Sequence, residues 1–217
     1  MFRNTKHLTK ERTPRIDPLE PPFDPEVAAV LEPMMPPGVP PIALFRTFAR
    51  NPAMATAMRG WGSYELSRNL SLTMRQREIV IDRTCARCGC EYEWGVHVAF
   101  FAERVGFTGD QVRSLTHGDS TDPCWTDPTE RALIDAVDSL HDRNDIDDEL
   151  WSRLQPRLDD AQVLDLLLLT GWYHAISFVA RGVGVPLEPG SPRFADHLAC
   201  SPASYTNAAG DVVGGDA

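Results

Sequence analysis

No stretch of this 217-residue chain approaches the ~20 uninterrupted apolar residues that a membrane-spanning helix requires. The nearest, LLLLTGWYHAISFVA at 166–180, contains His174 and follows Asp165, which suits a buried helix. Basic residues near the N-terminus are not followed by an apolar leader core, so a cytoplasmic location and no membrane partner are expected. Positive charge is also short, with 21 Lys and Arg against 31 Asp and Glu, and a net charge of −10 makes a nucleic-acid partner unexpected because phosphate binding needs a basic surface. The five cysteines are an odd number, which excludes a complete set of intrachain disulfides. Strand-like alternation is scarce throughout, and the expected fold is all-α.

Eleven of the 18 prolines lie between Pro14 and Pro52, so residues 1–40 read as a proline-rich arm carrying one short helix that opens at Asp24-Pro25. Further helices are expected over IALFRTFAR and, weakened near Gly60 and Gly62, over PAMATAMRGWGSYELSR. Thr73 with Gln76 has capping-box spacing and opens a helix that Gly89 should interrupt. A second helix follows from Cys90 toward Gly106, and Thr108 with Gln111 opens a third. Between Pro128 and Asp165 eleven acids face four arginines, a pattern of solvated helical faces without calcium-loop spacing. A long helix runs from Asp159 to about Arg181. Eight of the last 32 residues are Gly or Pro, so 188–217 is expected to be a flexible tail behind a helical domain at 41–187.

Chemistry-bearing residues concentrate in REIVIDRTCARCGCEYEWGVHVAFFAERVG, residues 77–106. On a helix, Cys90, Glu93 and His97 share a face, so Glu93 can orient the imidazole and His97 can move a proton near neutral pH. A helix N-terminus and an imidazolium would lower the thiol pKa of Cys90. Glu78, one helix earlier, returns to the same place if the chain reverses at Gly89. Cys85, Cys88 and Cys90 form overlapping C-x-x-C and C-x-C pairs, available for redox work, packing or soft-metal ligation with His97, although a continuous helix would spread the thiols too widely for one tetrahedral ion. Tyr92, Trp94 and His174 are candidate pocket residues, and Arg83 and Arg87 are candidate anchors for a substrate carboxylate, each with packing or ion pairing as the alternative.

The central segment, with LFRTFARNP upstream and LLLLTGWYHAISFVARGVGVPLE downstream, resembles the carboxymuconolactone decarboxylase family, which includes the alkylhydroperoxidase D-like (AhpD-like) proteins, over residues 42–187. The resemblance implies an all-helical fold and a homo-oligomer, a trimer or hexamer. One branch reduces peroxides with C-x-x-C-x-x-x-H and an upstream glutamate. Here Cys90, His97 and Glu78 fall on that pattern, but Glu93 stands where the peroxide-attacking cysteine belongs, and a carboxylate cannot pass through a sulfenic acid. The E-x-x-x-H spacing is similar to the decarboxylase branch.

Three functions are therefore carried forward. The first is a decarboxylase-like lyase acting on a small lactone or organic acid, without cofactor or metal, through His97, Glu93 and Glu78. The second is a thiol peroxidase using Cys90 with Cys88 or Cys85 and a dithiol reductant. The third is a non-catalytic oligomeric interaction protein.

Overall fold

The computed structural model of the protein describes residues 13–198, and among them there are nine α-helices and no strand. They are α1 (Pro25–Leu31), α2 (Ala43–Phe48), α3 (Pro52–Glu65), α4 (Met74–Arg87), α5 (Glu91–Phe101), α6 (Gly109–His117), α7 (Pro128–Arg143), α8 (Asp148–Leu154) and α9 (Asp160–Val183). The helix starts follow local capping chemistry. Thr73 and Gln76, Thr108 and Gln111, and Asp159 and Gln162 each exchange side-chain and backbone hydrogen bonds across the first turn, satisfying otherwise unpaired N–H groups. Gly89 takes φ +63° in the turn between α4 and α5, a backbone region that favours glycine. α3 runs without a break through Gly60 and Gly62, because the absent Gly62 side chain leaves room for the Trp172 ring.

The middle of the bundle is α4, which packs against α5, α6, α7 and α9. Nine consecutive residues, Arg77–Cys85, are buried, so this helix meets protein on every side. Ile79, Val80 and Ile81 supply apolar packing, but Arg77, Glu78, Asp82 and Arg83 are interleaved with them and each needs an internal electrostatic solution. For Arg83 the solution is structural. Its Nε and Nη2 donate to the two oxygens of Asp138 on α7 at 2.7 and 2.6 Å, and Nη1 donates to the carbonyls of Leu115 and Gly118 at the end of α6.

The long helix α9 is apolar enough by length and composition to cross a membrane, yet half of its most apolar window is buried by the rest of the fold. Near its start, buried Asp165 accepts from Tyr64 Oη and from the backbone and hydroxyl of Ser71, joining α9 to α3 and to the approach into α4.

Ordered packing continues past the expected domain boundary at 187. Glu188 accepts from Ala43 N and Tyr92 Oη, both at 2.6 Å, and Phe194 lies on the Trp94 ring at 4.9 Å. The expected tail is thus corrected over 188–198, where side-chain anchors outweigh a Gly- and Pro-bearing composition; residues 199–217, and 1–12 of the arm, lie outside the described residues.

This C-terminal strap crosses α5 at Gly95. A Cβ placed there would lie 2.8 Å from the carbonyl oxygen of Pro192, so Gly95→Ala should displace the strap at a cost of about 1–3 kcal/mol. The expected readout is faster limited proteolysis within 186–198 and a lowered melting temperature; unchanged cleavage there would show that the close approach does not hold the strap.

Candidate active site

Reversal at Gly89 brings Glu78 on α4 against His97 on α5. Glu78 Oε2 lies 2.8 Å from His97 Nδ1, while Glu78 Oε1 accepts from Arg77 Nε at 2.7 Å. On the other side of the ring, Tyr173 Oη on α9 is 2.9 Å from His97 Nε2. With a carboxylate on Nδ1, that nitrogen carries the proton and Nε2 is the atom left to exchange one. Glu93 Oε2 stands 3.8 Å from Nε2, close enough for a charge interaction and too far for a direct hydrogen bond. The expectation that Glu93 orients the imidazole is corrected: Glu78 does so, because the interhelical turn brings it nearer than the residue four positions back on the same helix.

All four polar groups are enclosed, with Glu78 fully buried and Glu93, His97 and Tyr173 nearly so. Burial pushes the Glu93 carboxyl above its ordinary range, although the neighbouring imidazole pulls the other way, and Glu93 Oε1 has no hydrogen-bond partner among the described residues. Burial, with the Glu93 and Glu78 carboxyls adding, holds Tyr173 as a phenol far above its usual range. One turn along α4 from Glu78, Asp82 is also raised well above the usual carboxylate range by burial and by Glu78.

Burial opposes thiolate formation at all three clustered cysteines. Cys90 is the N-cap of α5 rather than a residue within the helix, and burial, reinforced by Glu93, pushes its thiol up to about 12. The expected lowering of its pKa is therefore corrected, because desolvation outweighs the helix terminus. Cys85 is fully buried and raised well above normal for the same reason, with Cys90 and Glu93 adding to it. Cys88, also raised by burial, lies at the end of α4 with its Sγ 4.0 Å from His141 Nδ1.

The remaining sequence candidates sit elsewhere or act structurally. His174 turns away from His97; its Nδ1 faces the Thr170 carbonyl at 2.8 Å and its Nε2 faces His141 Nδ1 at 3.0 Å. Tyr92 is tied to Glu188 and to Leu44 N, and Trp94 is sealed beneath Phe194 and His197. Arg87 pairs with Asp142 and Asp138, and Arg83 with Asp138, so neither guanidinium faces His97.

Sequence reasoning missed Tyr173 and Arg77. Both lie beside residues it singled out, and Arg77 touches Glu78 in the sequence itself. Phe101 is a third omission: its ring stacks on His97 at 5.5 Å, with the guanidinium groups of Arg77 and Arg104 at 5.0 and 5.7 Å from the same ring. Two surface clefts, of about 460 Å³ between α7 and α8 and about 360 Å³ within the arm, are lined by neither His97 nor Glu93. Phe101, half-buried, is the side chain between the imidazole and the exposed Arg104.

Asp82 supplies a check on these electrostatics. A carboxyl whose native pKa is raised stabilises the fold fully below its ordinary value of 3.8, and that contribution is lost as pH rises through the native value. Asp82→Asn removes the dependence, so the melting temperature of the variant minus that of the wild type should increase from about pH 5 to about pH 8. A constant or shrinking difference would mean that Asp82 is ionised in the native state.

No family model matches the chain, and no curated protein matches it. Solved structures do. An uncharacterized peroxidase-related protein from Silicibacter sp. TM1040 is similar with a TM-score of 0.68 at 18% identity, over 86% of this chain and 99% of that one. An alkylhydroperoxidase AhpD core protein, also peroxidase-related and uncharacterized, from Ralstonia eutropha JMP134 gives 0.68 at 15% identity, over 80% of this chain and 93% of that one. The debrominase Bmp8 gives 0.63 at 15% identity, over 80% of this chain and 92% of that one. The chain thus has the all-helical fold of the AhpD-like, peroxidase-related proteins.

Proposed function

We propose that the protein is an enzyme of the carboxymuconolactone decarboxylase and AhpD-like group that performs acid/base chemistry, without a thiol relay, on a small lactone or organic acid. The observation that carries this reading is the Glu78–His97 pair, 2.8 Å apart, with the Glu93 carboxyl 3.8 Å from the opposite imidazole nitrogen. A carboxylate behind a histidine fixes its tautomer and balances the imidazolium, while a carboxyl that burial shifts toward its protonated form can donate a proton. The thiol-peroxidase alternative is weakened by the raised pKa values of Cys85, Cys88 and Cys90, since the thiolate is the attacking species.

In this mechanism the bond between the substrate's ring carbon and its carboxylate breaks, carbon dioxide leaves, and the electron pair passes into the conjugated carbonyl of the substrate. His97, protonated on Nε2 and balanced by Glu78, delivers that proton to the carbon. Glu93 then rotates to close the 3.8 Å gap, returns a proton to Nε2 and is reprotonated from solvent. Tyr173 can donate to the neutral imidazole or accept from the imidazolium, keeping the ring in place through the cycle. Substrate reaches Nε2 when Phe101 swings aside, and the exposed Arg104 beside that ring replaces Arg83 and Arg87 as the anchor for a second carboxylate that the substrate keeps. The exposed Leu164, Leu168 and Phe178 on one side of α9 support the further reading that a second copy of the chain covers this face.

A panel of small lactones and unsaturated carboxylic acids, assayed by carbon dioxide release, tests the reading. His97→Asn leaves an amide donor for Glu78 but removes Nε2, and should lower kcat about 10²–10⁴-fold, whereas Cys90→Ser should keep most of the activity. Arg104→Ala should raise KM about tenfold with kcat nearly unchanged, the loss expected for a charged hydrogen bond to a bound carboxylate. Dithiol-dependent peroxide consumption that disappears in Cys90→Ser would replace this proposal with the peroxidase. Wild-type partner binding without turnover of any substrate, preserved in His97→Asn, would point to the interaction protein.

A further inference from the structure

Three side chains that the proposed chemistry does not use converge where α4, α7 and α9 meet. Cys88 caps the end of α4, His141 lies in the last turn of α7, and His174 lies midway along α9. Their donor atoms all fall within 4.8 Å of one another. His141 Nδ1 is 3.0 Å from His174 Nε2 and 4.0 Å from Cys88 Sγ. Cys88 is buried and the two imidazoles are half-buried, so an ion can arrive from solvent without unfolding the bundle.

The hydrogen bonding around the cluster settles which atoms are available. His174 Nδ1 faces the Thr170 carbonyl at 2.8 Å, and a carbonyl only accepts, so Nδ1 carries the proton and Nε2 presents its lone pair inward. A ligating histidine is commonly held in this way, with its second nitrogen bonded to a backbone carbonyl. His141 directs Nδ1 at the same point, where two imidazole nitrogens must share either one proton or a metal ion. With zinc at about 2.0–2.1 Å from nitrogen and about 2.3 Å from sulfur, tetrahedral ligands stand roughly 3.3–3.6 Å apart. The observed 3.0 and 4.0 Å bracket that spacing, so small side-chain rotations suffice.

We propose that Cys88, His141 and His174 form a binding site for zinc(II), with three protein ligands and a fourth position open to water. Thiolate and imidazole together suit this ion rather than magnesium or calcium, which take oxygen ligands. Binding converts the Cys88 thiol to thiolate and moves the His141 proton to its outward nitrogen. One proton is therefore released per ion bound. Gly89 and Cys90 connect this cluster to α5, so an ion here would also fix the turn that presents His97.

Cobalt(II), which replaces zinc and reports its ligands by colour, is the probe. The full chain, reduced and freed of metal, is titrated with cobalt(II) and then with zinc(II), with circular dichroism confirming that each variant is folded. One equivalent of cobalt should give a sulfur-to-cobalt charge-transfer band that zinc abolishes, and calorimetry in buffers of different ionisation enthalpy should count one proton released. Cys88→Ser should remove the band, Cys85→Ser should retain it, and His174→Ala should weaken binding by more than the ~10–100-fold of an outer-sphere change. His141→Gln tests the same ligand set independently if Cys88→Ser fails to fold. Absence of the band in the wild-type protein at millimolar cobalt, or its survival in Cys88→Ser or His141→Gln, would overturn the assignment.

Discussion

The Glu78 carboxylate is the charge on which the rest of the centre is organised. It lies on a helix surrounded by protein and divides its oxygens between the Arg77 guanidinium and the His97 imidazole. Removing one partner of such a buried pair typically costs about 3–5 kcal/mol, because the surviving charge is left without water. The arrangement therefore fixes α4 against α5 and simultaneously sets the imidazole's tautomer. On the proposed reading the same carboxylate serves stability and proton transfer, so mutation of Glu78 would confound the two.

Surrounding acids are handled differently. Among the described residues no guanidinium pairs with Asp82 or Glu93, and burial shifts both toward the neutral form. This limits the repulsion that several carboxylates within a few turns would otherwise generate. On the proposed reading, Glu78 is the partner behind the histidine, and Glu93, its carboxyl shifted toward the protonated form, is the acid in front of it. The same desolvation raises both the Glu93 carboxyl and the Cys90 thiol, which supports proton transfer over thiol attack in the proposed reading.

Much of the fold was legible in the sequence because its signals are local. The Thr73, Thr108 and Asp159 starts are capping chemistry, and the break at Gly89 follows from one residue's backbone freedom. The approach of Glu78 to His97 was legible too, once that break was placed. Tyr173 was not, since Tyr173 and His174 are neighbours on an apolar helix and only the rotation of α9 decides which faces α5. Arg83 failed as a substrate anchor for a related reason: its acidic partner, Asp138, is 55 positions away on another helix. The Cys90 thiol failed because periodicity locates a residue on a face without reporting how much water reaches it.

Structures with only 14–18% identity share this scaffold, which is what a fold defined by burial pattern and caps allows. The polar residues on its inner faces can then change while the helices keep their places. In this chain a carboxylate stands at position 93, where the resembled peroxide-reducing pattern has a thiol. It adds a buried acid beside Cys90 and Cys85, and that acid raises the thiols' pKa values further. Placing a cysteine at 93 would remove the carboxyl and with it the added upward push on both thiols. On the proposed reading, position 93 bears on both chemistries, because a carboxyl there supplies a proton when protonated and opposes thiolate formation when ionised.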